Sequence, residues 1–530
     1  MDDKKLLKYC LEKGLLLDKE VLEMFSETKD LESVKLIIEK IRNHTQQRII
    51  TKNIFDSNKE QVVKFFSTLP EESQKSLEKF KIKLGLSIEI SKEIMGPLPS
   101  KNVSFEIVNS SSDFEPLGEK TVLVKNCKTS TNKKLEVSDF VKYFKGRLSE
   151  MREILQEHSE LNNLISIDKI SGNRQGISII GIVSDKRVTK NKNILLEVED
   201  FTGKIRLLVN QNKPELYTKA EEIALDSVLG FKCSGSREIL FVNDVIFPES
   251  RLFERKKSPV EEYALFIGDL HIGSNLFLEK NFLKFIDYLN GRLPNTPEVS
   301  KIKYLFVIGD LVSGVGVYPN QEAELILPNL EEQFEKVAEL FGKIRRDIKI
   351  IISPGNHDGV RLMEPQPVLD ERYAWPLYNL KNVFLATNPA QVNIGSKKEF
   401  SGFDVLLYHG FSLFYYAGNI SYLMKAKAAH KPEMILSYLL KQRHLAPTHA
   451  SVQYFPSEKD NHVIKKIPDI FVAGHTHKSS ISYYNNILVI SVSSWEKLTP
   501  YMEKLGSQPD FCKVPLLNLK TREIKMLDFE

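Results

Sequence analysis

The stretch Gly355-Asn356-His357-Asp358 begins shortly after an apolar run at residues 348–352. Four more motifs stand in the same position after other apolar runs: Asp269-Leu270-His271, Gly309-Asp310, Tyr408-His409-Gly410 and Gly474-His475-Thr476-His477. The runs, which have the continuous hydrophobicity of buried strands, are residues 264–267, 304–308, 348–352, 405–407, 470–472 and 487–492. Ligands of open α/β sheets bind where loops leave the carboxyl ends of the strands. The motifs therefore predict an α/β sandwich with one shared functional site.

The side chains in these motifs are mostly of the kinds that bind divalent transition metals, namely carboxylates and neutral imidazoles. Period-two alternation would point Asp269 and His271 to the same side, so that one short segment supplies two ligands to one ion. His475 and His477 repeat this spacing. Two ions about 3.5–4 Å apart can hold both the attacking and the leaving oxygens of a phosphoester displacement. The five motifs together predict a two-metal phosphoester-cleaving centre, although a lone histidine at a strand end is more often structural.

The composition is that of an ordinary globular protein. The 530 residues exceed what one compact core accommodates and predict about three or four domains. The formal net charge of +4 neither demonstrates nor opposes nucleic-acid binding. The four cysteines lack CxxC spacing, which argues against a disulfide framework and a cysteine-ligated zinc site. Without an apolar signal sequence or a membrane-length apolar run, the chain is expected to be cytoplasmic and to bind no membrane.

The first part of the chain predicts helices and then a tether. Residues 1–92 are expected to form an N-terminal helical module, because apolar side chains recur at helical spacing between Lys and Glu. Residues 93–138 have the Pro, Ser, Asn and Lys content of a flexible linker. An amphipathic helix is predicted to begin near Asp139 and to open a domain that ends at residue 250.

The second half of that domain contains five strand-like runs, at residues 176–184, 194–199, 204–209, 228–234 and 239–246. A helix is predicted at residues 214–224, between the third and fourth runs. This order predicts a β-barrel of the OB-fold type, which binds single-stranded nucleic acid or docks other proteins. Lys186, Arg187 and Lys190 in the basic tip of the first hairpin are candidate DNA-binding residues, and a solvated loop is an equally good interpretation.

The five motifs, in this order, resemble those of the calcineurin-like metallophosphoesterase superfamily over residues 260–500. The resemblance implies three ligands for one metal, three for a second and one that bridges them: Asp269, His271 and His477; Asn356, His409 and His475; and Asp310. It leaves His357 without a metal and implies that this histidine protonates or stabilises the leaving oxygen while a metal-bridging hydroxide attacks phosphorus. Mixed nitrogen and oxygen ligands favour Mn²⁺, with Fe and Zn also compatible.

Two branches of the superfamily fit less well. Protein Ser/Thr phosphatases carry an Asp-Arg-Gly element whose arginine holds phosphate, and the corresponding block here is Gly309-Asp310-Leu311-Val312-Ser313-Gly314. Repair nucleases often place a histidine three residues after the bridging aspartate, where this chain has Ser313. The detailed mechanism of those nucleases therefore cannot be assigned to this chain in full, because that histidine is replaced by Ser313.

The complete chain resembles the small-subunit family of archaeal family D DNA polymerases. Besides the domain order, the resemblance rests on four blocks: Val307-Ile308-Gly309-Asp310-Leu311-Val312, Gly316-Val317-Tyr318-Pro319-Asn320-Gln321, Arg443-His444-Leu445-Ala446-Pro447 and Pro515-Leu516-Leu517-Asn518-Leu519. It implies a phosphoesterase domain at residues 260–530 that acts as a 3′→5′ exonuclease on single-stranded or mismatched 3′ ends of DNA. It also implies a separate large polymerase subunit as partner, a location at the archaeal nucleoid, and other replisome proteins as candidate partners of the N-terminal region.

Two other functions remain open at this point. The chain could be a non-catalytic scaffold that docks the large subunit, a role found among the eukaryotic polymerase B subunits, which resemble it in architecture but have lost metal ligands. Here every ligand position is filled, which favours catalysis, because a cluster of buried charges is costly to keep. A free phosphatase or cyclic-nucleotide phosphodiesterase is the third interpretation, and the barrel attached to the phosphoesterase argues against it.

Overall fold

The computed structural model describes residues 9–10, 13, 16–17, 34–35, 38, 49–50, 122–129, 134–172, 174–504 and 506–530. The chain divides into two compact units, Met1–Phe114 and Glu115–Glu530. In the first unit, strands β1 (Leu16–Leu17) and β2 (Ile49–Ile50) pair in parallel. The prediction of a helical module at residues 1–92 is therefore wrong for these two short segments. Most of that module, and the part of the predicted linker before residue 122, lie outside the described residues.

Helix α1 (Val137–Gln156) leads into a closed five-stranded barrel in the second unit. The elements of the barrel are β4 (Arg174–Val188), β5 (Ile194–Glu199), β6 (Lys204–Val209), α2 (Pro214–Glu221), β7 (Val228–Gly235) and β8 (Leu240–Ile246). The strands follow the order β4-β5-β6-β8-β7, in which β6 and β8 are parallel. Alternate side chains such as Ile194, Leu196 and Val198 fill the interior. The predicted succession of five strands with a helix after the third is confirmed.

Two six-stranded sheets form the rest of the unit. The first contains β9 (Tyr263–Ile267), β10 (Ile302–Ile308), β11 (Lys349–Ser353), β12 (Val383–Leu385), β18 (Lys513–Asn518) and β19 (Ile524–Asp528), in the order β12-β11-β10-β9-β18-β19. The second contains β3 (Val122–Asn126), β13 (Ala390–Ile394), β14 (Phe403–Tyr408), β15 (Ile470–Ala473), β16 (Ser480–Tyr484) and β17 (Ile487–Ser491), in the order β16-β17-β15-β14-β13-β3. All six strands predicted for this region are present.

The sheets pack face to face, and helices cover their outer faces. Side chains of both sheets share one core, in which the rings of Phe266 and Phe306 stack with centroids 5.2 Å apart. The helices are α3 (Glu279–Leu289), α4 (Leu330–Gly342) and α5 (Glu371–Tyr378) over the first sheet, α6 (Leu413–Asn419), α7 (Ser421–Lys425) and α8 (Pro432–Gln442) over the second, and the short α9 (Pro500–Lys504). The predicted α/β sandwich is confirmed. None of the described helices combines the length and apolar character that crossing a bilayer requires.

Strand β3 lies within the segment that the sequence predicts as a flexible linker. It pairs antiparallel with β13, from Val122 opposite Ile394 to Asn126 opposite Ala390, and Val122 and Val124 pack on the core between the sheets. Without β3, strand β13 would be the edge of its sheet and would expose unpaired backbone groups, which the short Val-Leu-Val run satisfies. The linker prediction is therefore wrong for residues 122–126. Helix α1 also begins two residues earlier than expected.

Helix α1 is joined to the sandwich by a buried ion pair. The guanidinium of Arg147, which is fully buried, donates from Nε to Asp460 Oδ2 at 2.6 Å and from Nη1 to the carbonyl oxygens of Pro447 and Asp226 at 2.5 and 3.2 Å. Burial opposes ionisation of Asp460, but Arg147 and His444 hold the pKa of its carboxyl well below the usual range. Since Asp226 precedes β7, this one side chain ties together the helix, the barrel and the sandwich.

Replacing Arg147 with alanine is expected to lower the free energy of unfolding by about 3–5 kcal/mol, because the Asp460 carboxylate would stay buried without its main partner. Urea denaturation followed by circular dichroism measures the change. Lys145→Ala on the same helix is the control, since Lys145 is exposed and its loss should cost less than about 0.5 kcal/mol. Equal effects of the two substitutions would contradict a structural role for the ion pair.

Candidate metal centre

The five motifs meet where β9, β10, β11, β14 and β15 end. The first three strands are mutually parallel, as are the last two, so that their carboxyl ends lie along one edge of the sandwich. A cavity of about 500 Å³ opens there, and six predicted site residues line it: His271, Asp310, Asn356, His357, His475 and His477. Asp269 and His409 lie deeper and are fully or almost fully buried. The structure thus brings all eight predicted residues together.

Most of these side chains reach the site from an unusual backbone conformation. Asp269, His271, Asp310, His475 and His477 all have positive φ angles, between 48° and 66°. Left-handed backbone costs about 1–3 kcal/mol for a residue other than glycine and persists where surrounding structure enforces it, often at active sites. The expectation that strand alternation points Asp269 and His271 to the same side is therefore wrong in its reason, because β9 already ends at Ile267. The two side chains converge because both backbones turn.

Glycine permits the closest approach between two of the motifs. A Cβ atom on Gly355 would lie 2.2 Å from Oδ1 of Asp310 and 2.5 Å from its backbone nitrogen. The absence of that atom lets the backbone nitrogen of His357 donate to Asp310 Oδ1 at 2.8 Å. A side chain at position 355 would push the loop after β11 away from the carboxylate.

The first group of potential ligands consists of Asp269, His271 and His477, whose ligand atoms lie within 4.8 Å of one another. The Nε2 atoms of the two histidines are 3.1 Å apart, and His477 Nε2 is 3.7 Å from Asp269 Oδ1. Asp269 also accepts hydrogen bonds from the backbone nitrogen of His475 with both carboxylate oxygens, at 3.1 Å each. Two imidazole nitrogens and a carboxylate oxygen therefore face one point.

The second group consists of Asp310, His409 and His475, again within 4.8 Å. His409 Nε2 lies 3.2 Å from Asp310 Oδ2 and 2.9 Å from Asn356 Oδ1, which adds the amide oxygen to the group. The Nδ1 atom of His409 faces the carbonyl oxygen of Ile308 at 3.0 Å, an arrangement that orients the ring. Asp310 Oδ2 is also 3.9 Å from His271 Nε2, so Asp310 lies between the two groups.

Burial and the neighbouring charges shift the pKa values of several groups in the cluster. Burial lowers the pKa of His475 and of His477 to about 3, so both imidazoles are neutral near pH 7 and offer lone pairs. Burial acts against the ionised form of Asp310, but His409 above all holds the pKa of its carboxyl well below the usual range. Burial also raises the pKa of Asp269 well above its usual value. A divalent cation would compensate both carboxylates, and the nitrogen and oxygen donors suit Mn²⁺, Fe or Zn.

His357 is oriented by the chain immediately after Asp310. Its Nδ1 atom lies 2.8 Å from the carbonyl oxygen of Ser313, which fixes the proton on Nδ1 and leaves Nε2 for the cavity. The side chain is half-buried, and its ring meets that of His271 edge to face at a centroid distance of 4.7 Å. His357 also forms a third possible ligand group with His271 and Asp310. Ser313 contributes to this orientation through its backbone carbonyl oxygen.

Sequence reasoning missed a pair of buried amides that connects two of the motif loops. Asn388 accepts from the backbone nitrogen of His409 with Oδ1 at 2.8 Å and donates to Gln366 Oε1 at 2.7 Å. Gln366 in turn donates from Nε2 to the carbonyl oxygen of Gly355 at 3.3 Å. Neither residue belongs to a recognisable motif, and only the folded chain brings them within reach of the site. The pair sets the distance between the loops that carry His409 and Asn356.

None of the three candidate DNA-binding residues lines the cavity. Lys186 donates to the carbonyl oxygens of Glu221 and Ile223 at 2.8 Å each, and burial lowers the pKa of its ammonium group to about 8. The ammonium group of Lys186 is therefore bound by backbone carbonyl oxygens of the barrel domain. Arg187 and Lys190 are exposed.

Three basic residues of the C-terminal half that lie outside the candidate ligand groups have structural partners. Arg443 donates to the carbonyl oxygens of Ile464 and Lys465, and His444 pairs with Asp460 at 2.8 Å. The ring of His449 packs against Tyr454 with centroids 4.9 Å apart. These contacts give each of the three residues a structural role, so that no catalytic role is required to explain them.

Residues 264–479 match the family model described as calcineurin-like phosphoesterase. The DNA polymerase II small subunit of Pyrococcus abyssi is 35% identical over 404 residues, which cover 74% of this chain and 63% of that protein. The protein of the same name from Methanothermobacter thermautotrophicus is 34% identical over 74% of this chain and 80% of its own length. The chain belongs to the DNA polymerase II small subunit family.

Membership of this family confirms the resemblance inferred from the sequence. The Pyrococcus horikoshii member is 33% identical over 480 residues, or 88% of this chain and 73% of that protein. The chain spans just under two thirds of the length of the members from Pyrococcus abyssi and Pyrococcus furiosus. Since these matches cover most of this chain, the family relationship extends beyond the phosphoesterase region itself.

Asp310→Asn is expected to weaken Mn²⁺ binding by more than the roughly 10- to 100-fold that follows loss of an outer partner of a metal ligand. The reason is that Asp310 lies within reach of both candidate ligand groups, so its negative charge would act on a cation bound at either group. Equilibrium dialysis with metal analysis measures stoichiometry and affinity, and circular dichroism checks the fold. Asp168→Asn, at an exposed position of the barrel region, is the matched control. Wild-type metal content in the Asp310 variant would remove this residue from the centre.

Proposed function

We propose that this chain is the proofreading subunit of a two-subunit DNA polymerase, a two-metal 3′→5′ exonuclease that hydrolyses phosphodiesters at unpaired 3′ ends. The observation that carries the proposal is the convergence of seven potential ligands and His357 at one site, where six of the eight side chains line a single cavity. A family member that served only as a scaffold would have no use for this costly concentration of buried carboxylates and imidazoles. The name of the relatives, a polymerase small subunit, supports a large polymerase subunit as partner.

The geometry supports a division of the ligands between two cations. Asp269, His271 and His477 would hold one, and Asn356, His409 and His475 the other. Asp310, which lies 3.9 Å from His271 Nε2 and 3.2 Å from His409 Nε2, would contact both. When bound, the two cations, with Mn²⁺ the preferred ion, would supply Lewis-acid activation of water and of the phosphate.

The chain itself supplies orientation and a proton. Nε2 of His357 is the nitrogen left for the cavity, because Ser313 holds Nδ1 through its carbonyl oxygen. A proton on Nε2 would pass to the leaving oxygen as the phosphorus–oxygen bond of the phosphodiester breaks, which is general-acid catalysis. The hydrogen bond from the His357 backbone to Asp310 keeps the acid in register with the ligands. Asp310 therefore connects the proton donor, His357, to the candidate metal ligands.

The other parts of the chain would serve DNA and the partner. We infer that the barrel is an OB-fold, because its strand order and the helix between its third and fourth strands have that arrangement. Residues 139–250 would then form the barrel domain and residues 260–530 the exonuclease domain, with the N-terminal module as a candidate contact for further replisome proteins. The exposed Arg187 and Lys190 are the remaining candidates for phosphate contacts in the barrel, since Lys186 is engaged by backbone carbonyls.

His357→Ala is expected to leave about two metal ions per chain and to lower the turnover of single-stranded DNA by roughly 10²–10⁴-fold, the usual contribution of a general acid. Metal analysis and single-turnover kinetics with Mn²⁺ measure the two quantities. His430→Ala is the control, because His430 lines the same cavity but belongs to none of the ligand groups. Loss of metal together with loss of activity would make His357 a ligand.

Mismatched primer ends are expected to be cleaved about 10- to 100-fold faster than paired ends, because a paired end must first separate at a cost of a few kcal/mol. Single-stranded DNA, paired and mismatched primer-templates, and p-nitrophenyl phosphate are compared with one protein preparation. Faster hydrolysis of p-nitrophenyl phosphate than of any DNA would favour a general phosphatase. Full metal content without hydrolysis of any substrate would favour the scaffold function.

A further inference from the structure

Two phenylalanines stand at the mouth of the cavity with much of their rings exposed to solvent. Phe411 follows the His409-Gly410 motif and is 42% exposed, and Phe414 in the first turn of α6 is 45% exposed. Both line the cavity. Exposed phenylalanine side chains next to a cluster of charged groups have no evident use in the stability of the fold. Such a patch at the mouth of a cavity indicates contact with a ligand.

The local structure holds both rings against the metal centre. The ring of Phe411 lies 5.3 Å from that of His475, tilted by 40°, and the ring of Phe414 lies 5.5 Å from it at 62°. Helix α6 buries Leu413, Tyr416 and Ala417 in the core of the sandwich, and Phe414 lies on the flank of this buried face, where it lines the cavity. The position of Phe414 is therefore set by a well-packed helix.

We propose that Phe411 and Phe414 form a stacking platform for the nucleobase at the 3′ end of the DNA, next to the phosphodiester that is cut. This inference rests on the proposed exonuclease function and names the part of the substrate that these rings bind. His475, which both rings contact, is a candidate ligand of the second cation, so a base on the platform would lie within one nucleotide of the metal centre.

Stacking suits an exonuclease that must accept every base. All four nucleobases have a π-face, and stacking on an aromatic side chain contributes to affinity without reading hydrogen-bond patterns. A paired base is already stacked in the duplex and hidden from the rings, whereas an unpaired terminal base can swing onto them. The platform would therefore favour mismatched ends through the binding of the freed base. Phosphate contacts alone would not make this distinction.

The test measures the binding of a labelled oligo(dT) whose 3′-terminal linkage is a non-hydrolysable phosphonate, in the presence of Mn²⁺. Phe411→Ala and Phe414→Ala should each weaken binding about 5- to 100-fold, the range expected for loss of one stacked base. Phe414→Leu should lose as much, because leucine keeps the apolar volume but has no ring, and Phe414→Tyr should bind like the wild type. Phe253→Ala, at a fully exposed phenylalanine in the connector before β9, is the control.

A second oligonucleotide that ends in an abasic nucleotide identifies the group that is bound. The wild-type protein should bind it as weakly as the alanine variants bind normal DNA, and the substitutions should cause no further loss. If the phenylalanine variants lose the same affinity for both oligonucleotides, or if Phe414→Leu binds like the wild type, the platform is refuted. Unchanged metal content and thermal unfolding midpoints confirm that the variants are folded, since both rings lie at the surface.

Kinetics on cleavable DNA separate this proposal from the proposed function. Base stacking is present in the ground state and in the transition state, so the alanine variants should raise KM and leave kcat nearly unchanged. A protein that binds DNA in the base-dependent manner but cuts no DNA would overturn the exonuclease and support the platform. A protein that cuts unpaired ends equally well with and without the two rings would support the exonuclease and overturn the platform.

Discussion

The structure depends on the burial of one carboxylate, that of Asp310, between two groups of potential metal ligands. A buried charge is costly unless it is paired and hydrogen-bonded, and Asp310 has His409 at 3.2 Å and the backbone nitrogen of His357 at 2.8 Å. Gly355 is required because any side chain there would occupy the space of the carboxylate. The positions of the loops after β10, β11 and β14 are therefore constrained by the contacts that stabilise the buried Asp310 carboxylate.

The same constraint explains where the fold stores strain and where it is rigid. Five site residues adopt left-handed backbone at strand ends, which only a firmly packed scaffold maintains. Two sheets with a shared core and helices on both outer faces provide that scaffold. Asn388 and Gln366 then connect the loops of two different motifs through buried hydrogen bonds. The site is precise because its loops are tied to the sandwich and to each other.

The parts that the sequence predicted least well are those whose environment lies far away along the chain. Residues 122–126 have linker-like neighbours, yet they form β3 because β13, more than 260 residues later, offers an open edge. Lys186 reads as a surface charge at a hairpin tip, yet two carbonyl oxygens near the end of α2 capture it. The aromatic rings of Phe411 and Phe414 carry no motif, and their relation to His475 exists only in the folded chain.

The sequence by itself determined the strand-ending motifs, the choice of the eight candidate site residues, the α/β sandwich and the order of elements in the barrel. These features are local, because an apolar run followed by a short polar motif contains both the strand and the chemistry at its end. The tertiary structure alone decided the distances between candidate ligands on different strands, the left-handed turns, the amides behind the site and the rings at its mouth. Those features depend on distances between segments far apart in sequence, which only the packing of the two sheets establishes.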